Sequence, residues 1–283
     1  MAMERIERAL ELARQQRHRA ADISLAVANA EPKPDFSFAA PAAADAQAGG
    51  LDPARAALVE LPGEPRLREL RIVLPQRNDA VAQSYKLLRT QVLQRVRQHG
   101  MRTLGIVSAA QGEGRTLTAV NLAFSLSAET NQSVILVDLD LRQPSIAGGL
   151  GLPQTEGLET FFTHAAPLDS LWCRFAEVPR LTVLPAHAPL AGSSELLAGE
   201  AARDLFAKLR GAVGNPLVLF DLPPALLSDD VLAAAPLLDG VLVVVAEGRT
   251  RREDLARVFE LLRSTPVVGT VLNQSDDAES RER

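Results

Sequence analysis

The segment Gly105-Ile106-Val107-Ser108-Ala109-Ala110-Gln111-Gly112-Glu113-Gly114-Arg115-Thr116-Leu117 carries an apolar strand candidate into a glycine turn that opens a helix. Backbone N–H groups in such a turn point at a polyphosphate, and the helix N-terminus adds partial positive charge. Glycines at 112 and 114 permit backbone angles and a close approach that side chains would block. Gln111, Gly112, Glu113, Gly114, Arg115, Thr116 and Leu117 are thus candidate phosphate-binding residues, and the Thr116 hydroxyl is a candidate Mg²⁺ ligand. An ordinary strand-to-helix turn shows the same glycines, so other residues must decide.

Two further segments do so. Val134-Ile135-Leu136-Val137-Asp138-Leu139-Asp140-Leu141-Arg142 is an apolar strand candidate ending in two carboxylates one residue apart. Leu217-Val218-Leu219-Phe220-Asp221-Leu222-Pro223-Pro224 is a second, ending in Asp221. Magnesium takes few carboxylates, phosphate oxygens and retained waters, so acidic residues at neighbouring strand ends suit it. A lone aspartate at a strand end is usually a loop cap; three in order after a glycine turn argue against capping.

Positioning these residues requires a sheet. Short apolar runs at Thr103–Ser108, Ser133–Asp138, Leu181–Pro185, Pro216–Asp221, Gly240–Ala246 and Val267–Leu272 alternate with helical patterns. The helical patterns lie at Thr116–Glu129, Glu195–Val213, Ser228–Leu238 and Arg251–Arg263. Such alternation predicts an α/β fold with a doubly wound, mostly parallel sheet and ligands beyond the strand C-termini. An entry helix from about Asn78 keeps helical spacing at Ala80, Val81, Tyr85, Leu88, Val92 and Val96 and stops at Gly100.

Residues 1–19 read as an amphipathic helix built on Ile6, Leu10 and Ala13. Residues 20–77, rich in Ala and Pro, read as a disordered linker; residues 78–275 form the ordered domain and 276–283 a polar tail. The 283 residues carry a net charge of −5, which gives no footprint for nucleic acid. One cysteine, Cys173, forms no internal disulfide, and no run of about 18 apolar residues predicts a transmembrane span. These features predict a cytoplasmic protein, peripheral at the inner membrane through a partner or through the amphipathic N-terminus. His99, His164 and His187 lack ligand spacing and read as structural or exposed, and Arg249, Arg251 and Arg252 as a solvated helix start.

The phosphate loop, the Asp138-x-Asp140-x-Arg142 pattern and the strand ending in Asp221 resemble the bacterial tyrosine kinase (BY-kinase) family. This family serves capsule and exopolysaccharide export and is related to the ParA and MinD ATPases. Ser84-Tyr85-Lys86-Leu87-Leu88-Arg89-Thr90 matches the family's entry helix, and the resemblance covers roughly Asn78 to Gln274. It implies a P-loop NTPase fold, ATP or ADP with Mg²⁺, and catalytic roles for Arg115, Asp138 and Asp140. It also implies Mg²⁺ contacts from Thr116, Asp138 and Asp221, and an adenine contact from Asn273. The implied partner is a membrane polysaccharide copolymerase of the Wzc or chain-length-determinant type, with a homo-oligomer as a further possibility.

Three departures matter. Family loops end in Gly-Lys-Ser or Gly-Lys-Thr, whereas this one has Arg115; a planar guanidinium is directed differently from a compact ammonium. The tail Gln274–Arg283 has no tyrosine, so the usual tail autophosphorylation cycle cannot run. The family's Glu, Arg, Arg ring pattern appears as Gln83, Lys86 and Arg89, without its carboxylate. These departures favour a nucleotide-binding regulator of exopolysaccharide assembly with weak or absent phosphotransfer. The alternatives are an active ATPase or tyrosine kinase acting on another protein, and a ParA- or MinD-like positioning ATPase. Against the last, Ala110 stands where those proteins carry a signature lysine.

Overall fold

The computed structural model describes residues 51–275 and the strand Ser24–Ala26. The expected helix over 1–19 and the tail 276–283 lie outside the described residues.

Nine strands form one sheet: β1 (Ser24–Ala26), β2 (Ala57–Val59), β3 (Thr103–Ser108), β4 (Val134–Asp138), β5 (Cys173–Phe175), β6 (Val178–Leu184), β7 (Leu217–Asp221), β8 (Gly240–Ala246) and β9 (Val267–Asn273). Their spatial order is β1-β9-β8-β3-β7-β4-β6-β5-β2. The run from β9 to β6 is parallel throughout, while β1 on β9 and β5 on β6 are antiparallel. All six expected strands are present within a residue or two of their predicted ends, apart from a β6 that starts earlier.

Among the described residues nine α-helices accompany the sheet: α1 (Glu64–Glu69), α2 (Ala80–Gln98), α3 (Arg115–Ser127), α4 (Ile146–Leu150), α5 (Leu158–His164), α6 (Ser193–Ala198), α7 (Glu200–Arg210), α8 (Asp230–Ala234) and α9 (Arg252–Leu261). They divide the core into two layers, and each central strand feeds both, as the two-residue period of a strand requires. Val134 and Leu136 of β4 and Leu217 and Leu219 of β7 pack with Leu88, Val92 and Leu122 from α2 and α3. Ile135, Val137, Val218 and Phe220 pack on the opposite face with Trp172, Leu205 and Leu209. Near-continuous apolar runs in these strands follow from burial on both faces.

Two expectations need correction. Residues 51–77 are not a linker: a 3-10 turn at Pro53–Arg55, strand β2 and helix α1 are laid on the domain. Val73 N–H donates to Asn121 Oδ1, and Asn121 Nδ2 donates back to the Arg71 carbonyl, tying this segment to α3. Leu67 and Ile72 are buried in the first core layer, so a few apolar residues suffice to fix a composition that looks featureless. The single helix expected over 195–213 is two, α6 and α7, divided at Gly199, whose extended backbone closes one and opens the next.

Candidate functional site

β7 lies between β3 and β4, so the chain segments leaving these three strands emerge side by side. Asp138 is directly paired with Asp221, and Ile106 pairs with Asp221 on the other side. The sheet register alone therefore brings together the phosphate loop, which follows β3, and the three aspartates.

The loop keeps the shape the glycines suggested. Gly112 and Gly114 have φ of 78° and 85°, the left-handed region in which glycine alone is unstrained. At Gly114 a Cβ would lie 1.9 Å from Asn273 Nδ2, so no side chain is admissible there. A cavity of about 260 Å³ is lined by Gln111 to Leu117 together with Ser108, Asp140, Gln143, Ser145 and Pro224. It suits phosphate groups rather than a whole nucleotide. A larger groove of about 490 Å³ involves Leu226, Leu227, Leu232 and Leu261, and its mostly apolar lining offers no such cradle.

Glu113 is only 3 % exposed and turns its carboxylate inward, where Oε2 accepts from Ala110 N–H at 2.9 Å and Oε1 from the Thr250 hydroxyl at 2.5 Å. The outer rim is held by its carbonyls. Asn273 Nδ2 donates to the Glu113 carbonyl at 3.0 Å, and Gln274 Nε2 donates to that of Gly112 at 2.8 Å. Arg249 Nη1 donates to the Gly112 carbonyl at 3.1 Å, so this arginine is a loop contact and not part of a solvated helix start. Gln111 Nε2 donates to Gln143 Oε1 at 2.8 Å, closing the opposite rim.

The Arg115 side chain lies among the aspartates. Its Nε donates to Asp221 Oδ1 at 3.0 Å and its Nη2 to Asp140 Oδ2 at 2.7 Å. Thr116 Oγ1 donates to the other Asp221 oxygen at 2.6 Å. The guanidinium is 10 % exposed, Asp140 6 % and Asp221 0 %, so the charges are out of water, where one-sided removal is expensive. Asp138 Oδ2 accepts the N–H groups of Ser145 and Ile146, both at 2.9 Å, at the start of α4. Its Oδ1 is buried and has no partner.

Burial pushes the Asp138 carboxyl well above the usual carboxylate range, and the Asp221 charge pushes it further; the two backbone bonds oppose this only in part. Asp140 and Asp221 are also raised by burial, with Arg115 pulling each back down. Asp138 thus favours a proton while the flanking pair shares a cation.

Arg142 turns away from the loop. It pairs with Asp229 and with the fully buried Asp230, whose other oxygen accepts from the Ser193 hydroxyl at 2.7 Å. Asp229, Asp230, Thr250, Arg249 and Gln274 were missed as site-shaping residues. Only the doubled aspartate and the arginine after β8 carried any signal in the sequence.

The entry helix α2 uses its cations within the chain. Lys86 Nζ donates to the Arg77 carbonyl and to Asn78 Oδ1, and Arg89 pairs with Glu129 at 3.0 Å and donates to the Ser125 carbonyl. Tyr85, the one tyrosine of the sequence, is 4 % exposed, and burial pushes its phenol up to about 12.

No family model matches the chain. Among curated proteins it is 26 % identical over 210 residues to the tyrosine-protein kinase YwqD of Bacillus subtilis, covering 74 % of this chain and 87 % of that one. It is 31 % identical over 226 residues to the succinoglycan biosynthesis transport protein ExoP of Rhizobium meliloti, covering 75 % of this chain but only 27 % of that longer protein. Among solved structures, the kinase domain of the Escherichia coli tyrosine kinase ETK superposes with a TM-score of 0.62 at 20 % identity. The match covers 77 % of this chain and 89 % of that domain, and it shows the shared fold.

Proposed function

The chain belongs to the bacterial tyrosine kinase family, and from that premise we propose that it is a nucleotide-binding regulator of exopolysaccharide polymerisation or export with weak or absent phosphotransfer. One observation carries this reading: the residue in the loop's cation position, Arg115, is directed onto Asp140 and Asp221. The cation of a phosphate loop serves transfer by being aimed in advance at the phosphoryl oxygens where charge develops. Arg115 is instead fixed by two buried carboxylates.

Binding and transfer make different demands. Binding of ATP or ADP rests on the loop backbone of residues 111–117 and on the helix N-terminus of α3, which the arginine does not disturb. Transfer requires in addition a base and a metal. Asp138 is a proton acceptor by its raised affinity, and Asp140 flanks it. For Mg²⁺ the resemblance names Thr116, Asp138 and Asp221, but Thr116 and Arg115 already occupy both Asp221 oxygens. As arranged, these residues do not fit the ion.

Tyr85 is buried among α2 and α3 and offers no accessible phosphoacceptor, which agrees with a role other than self-phosphorylation. The partner in this reading is a membrane polysaccharide copolymerase, suggested by the likeness to a succinoglycan biosynthesis transport protein of which the matched part is 27 %. Among the described residues no helix is long and apolar enough to cross a membrane. A second reading, a working kinase on another protein, is favoured by the buried proton acceptor Asp138 and by the kinase relatives. ATP turnover of the wild type, Arg115→Lys and Asp138→Ala separates the two. The regulator reading predicts wild-type turnover near background and a rise in Arg115→Lys. Substantial wild-type turnover abolished by Asp138→Ala would sink it.

A further inference from the structure

We propose that Arg115 takes the place of the divalent cation, so that this chain binds nucleotide phosphates independently of Mg²⁺ and the ion competes with the arginine. The inference rests on the nucleotide-binding reading above.

The oxygens of the three aspartates decide the matter. Asp221 gives one oxygen to Arg115 Nε and one to the Thr116 hydroxyl. Asp140 gives one to Arg115 Nη2 and one to the Gln143 N–H at 3.1 Å. Asp138 gives one to two backbone N–H groups. Only Asp138 Oδ1 is without a partner. Magnesium asks for near-octahedral oxygen ligands and usually for one or two carboxylates that are free to turn toward it. One buried oxygen beside an engaged pair does not supply that.

The guanidinium supplies what the ion would otherwise supply to the protein, a positive charge between Asp140 and Asp221. Its planar fork spans both carboxylates through two different nitrogens, which a lysine ammonium of the usual loop, a point charge on a flexible stem, does not reproduce. Arg115 lines the phosphate cavity, and among the described residues its bonds to the aspartates run through Nε and Nη2, which leaves Nη1 as a donor for a phosphate oxygen. Entry of Mg²⁺ at Asp221 requires the guanidinium to leave two buried partners at once, a cost the loop with lysine does not carry.

The test titrates a fluorescent ADP analogue and ATP into wild type and Arg115→Lys, each in excess Mg²⁺ and in EDTA. Wild-type dissociation constants should agree within about twofold in the two buffers, whereas Arg115→Lys should weaken about tenfold or more in EDTA. A tenfold loss for the wild type in EDTA overturns the proposal. A second arm omits nucleotide and follows free Mn²⁺ by electron paramagnetic resonance. Arg115→Lys or Arg115→Gln, verified as folded by circular dichroism, should bind Mn²⁺ at least about tenfold more tightly than wild type. Equal binding overturns the proposal. If the wild type binds neither nucleotide in either buffer, the regulator reading falls, and the Mn²⁺ arm still decides the role of Arg115.

Discussion

The two ends of the sheet carry the same residue types and use them differently. Where the strands begin, Asp239 accepts the N–H groups of Arg102 and Thr103 at 2.7 and 2.9 Å and the Arg210 guanidinium at 2.7 Å. Arg210 also donates to the Leu237 carbonyl and to the Thr103 hydroxyl, and its side chain is 41 % exposed. Where the strands end, Arg115 meets Asp140 and Asp221 out of water, beside an aspartate with an orphan oxygen. The first cluster ties strand ends together with backbone donors, leaves both carboxylate oxygens engaged and keeps water nearby. The second stacks carboxylates against one cation in a dry place. Arginine and aspartate in contact thus do not mark a site; several carboxylates withdrawn from water around a single cation do.

The sharpest way to break this comparison is to remove the cation. Arg115→Met should cost about 3–5 kcal/mol at neutral pH, because Asp140 and Asp221 would be left buried without a countercharge. The sign with pH follows from their raised affinity for protons. A folded-state value above the unfolded one gives stability that is present at low pH and lost as pH rises through the folded value. The deficit measured by urea unfolding should therefore shrink as pH falls from neutral toward the unfolded carboxylate value. A deficit constant with pH would show that the pair is not desolvated.

At the opposite end, Asp239→Ala should cost less, about 2–3 kcal/mol, the penalty of leaving backbone N–H groups at the start of β3 unpaired. A loss as large as that of Arg115→Met would show that the two clusters are desolvated alike. The smallest effect has the opposite sign. Asp138→Asn retains an acceptor for Ser145 and Ile146, places donors at the orphan position beside Asp221 and removes a group whose ionisation burial opposes. It should raise stability by about 1 kcal/mol, a gain of roughly 2–4 °C in thermal midpoint for a domain of this size. A fall in the midpoint would show that the carboxylate is needed for packing at the start of α4.

Much of this was legible in the sequence because burial on both faces writes a parallel strand as an uninterrupted apolar run. Val134–Asp138 and Leu217–Asp221 announce both a strand and the end at which its carboxylate emerges. The three-residue strands β2 and β5 were not legible. Each is too short to show a period, and each exists because β6 offers an edge on which β5 and then β2 can pair. Gly199 was invisible as a break because the apolar spacing continues across it from Leu197 to Ala202 and Leu205. In the site, residue types named the loop and the aspartates, but not that Arg115 points at Asp140 and Asp221. That orientation comes from β7 lying between β3 and β4, a fact of topology and not of spacing along the chain. The inward carboxylate of Glu113 likewise depends on Thr250, 137 residues away.

The two layers of the core also equip the chain with built-in reporters. Its one tyrosine is buried in the layer formed by α2 and α3, and its one tryptophan, Trp172, is 1 % exposed in the other. Absorbance of the phenol and emission of the indole therefore watch opposite faces of the sheet, without any label. Should a ligand at the loop loosen α3 while the far layer stays rigid, the two signals would part company, and an optical melt would reveal which half moved first.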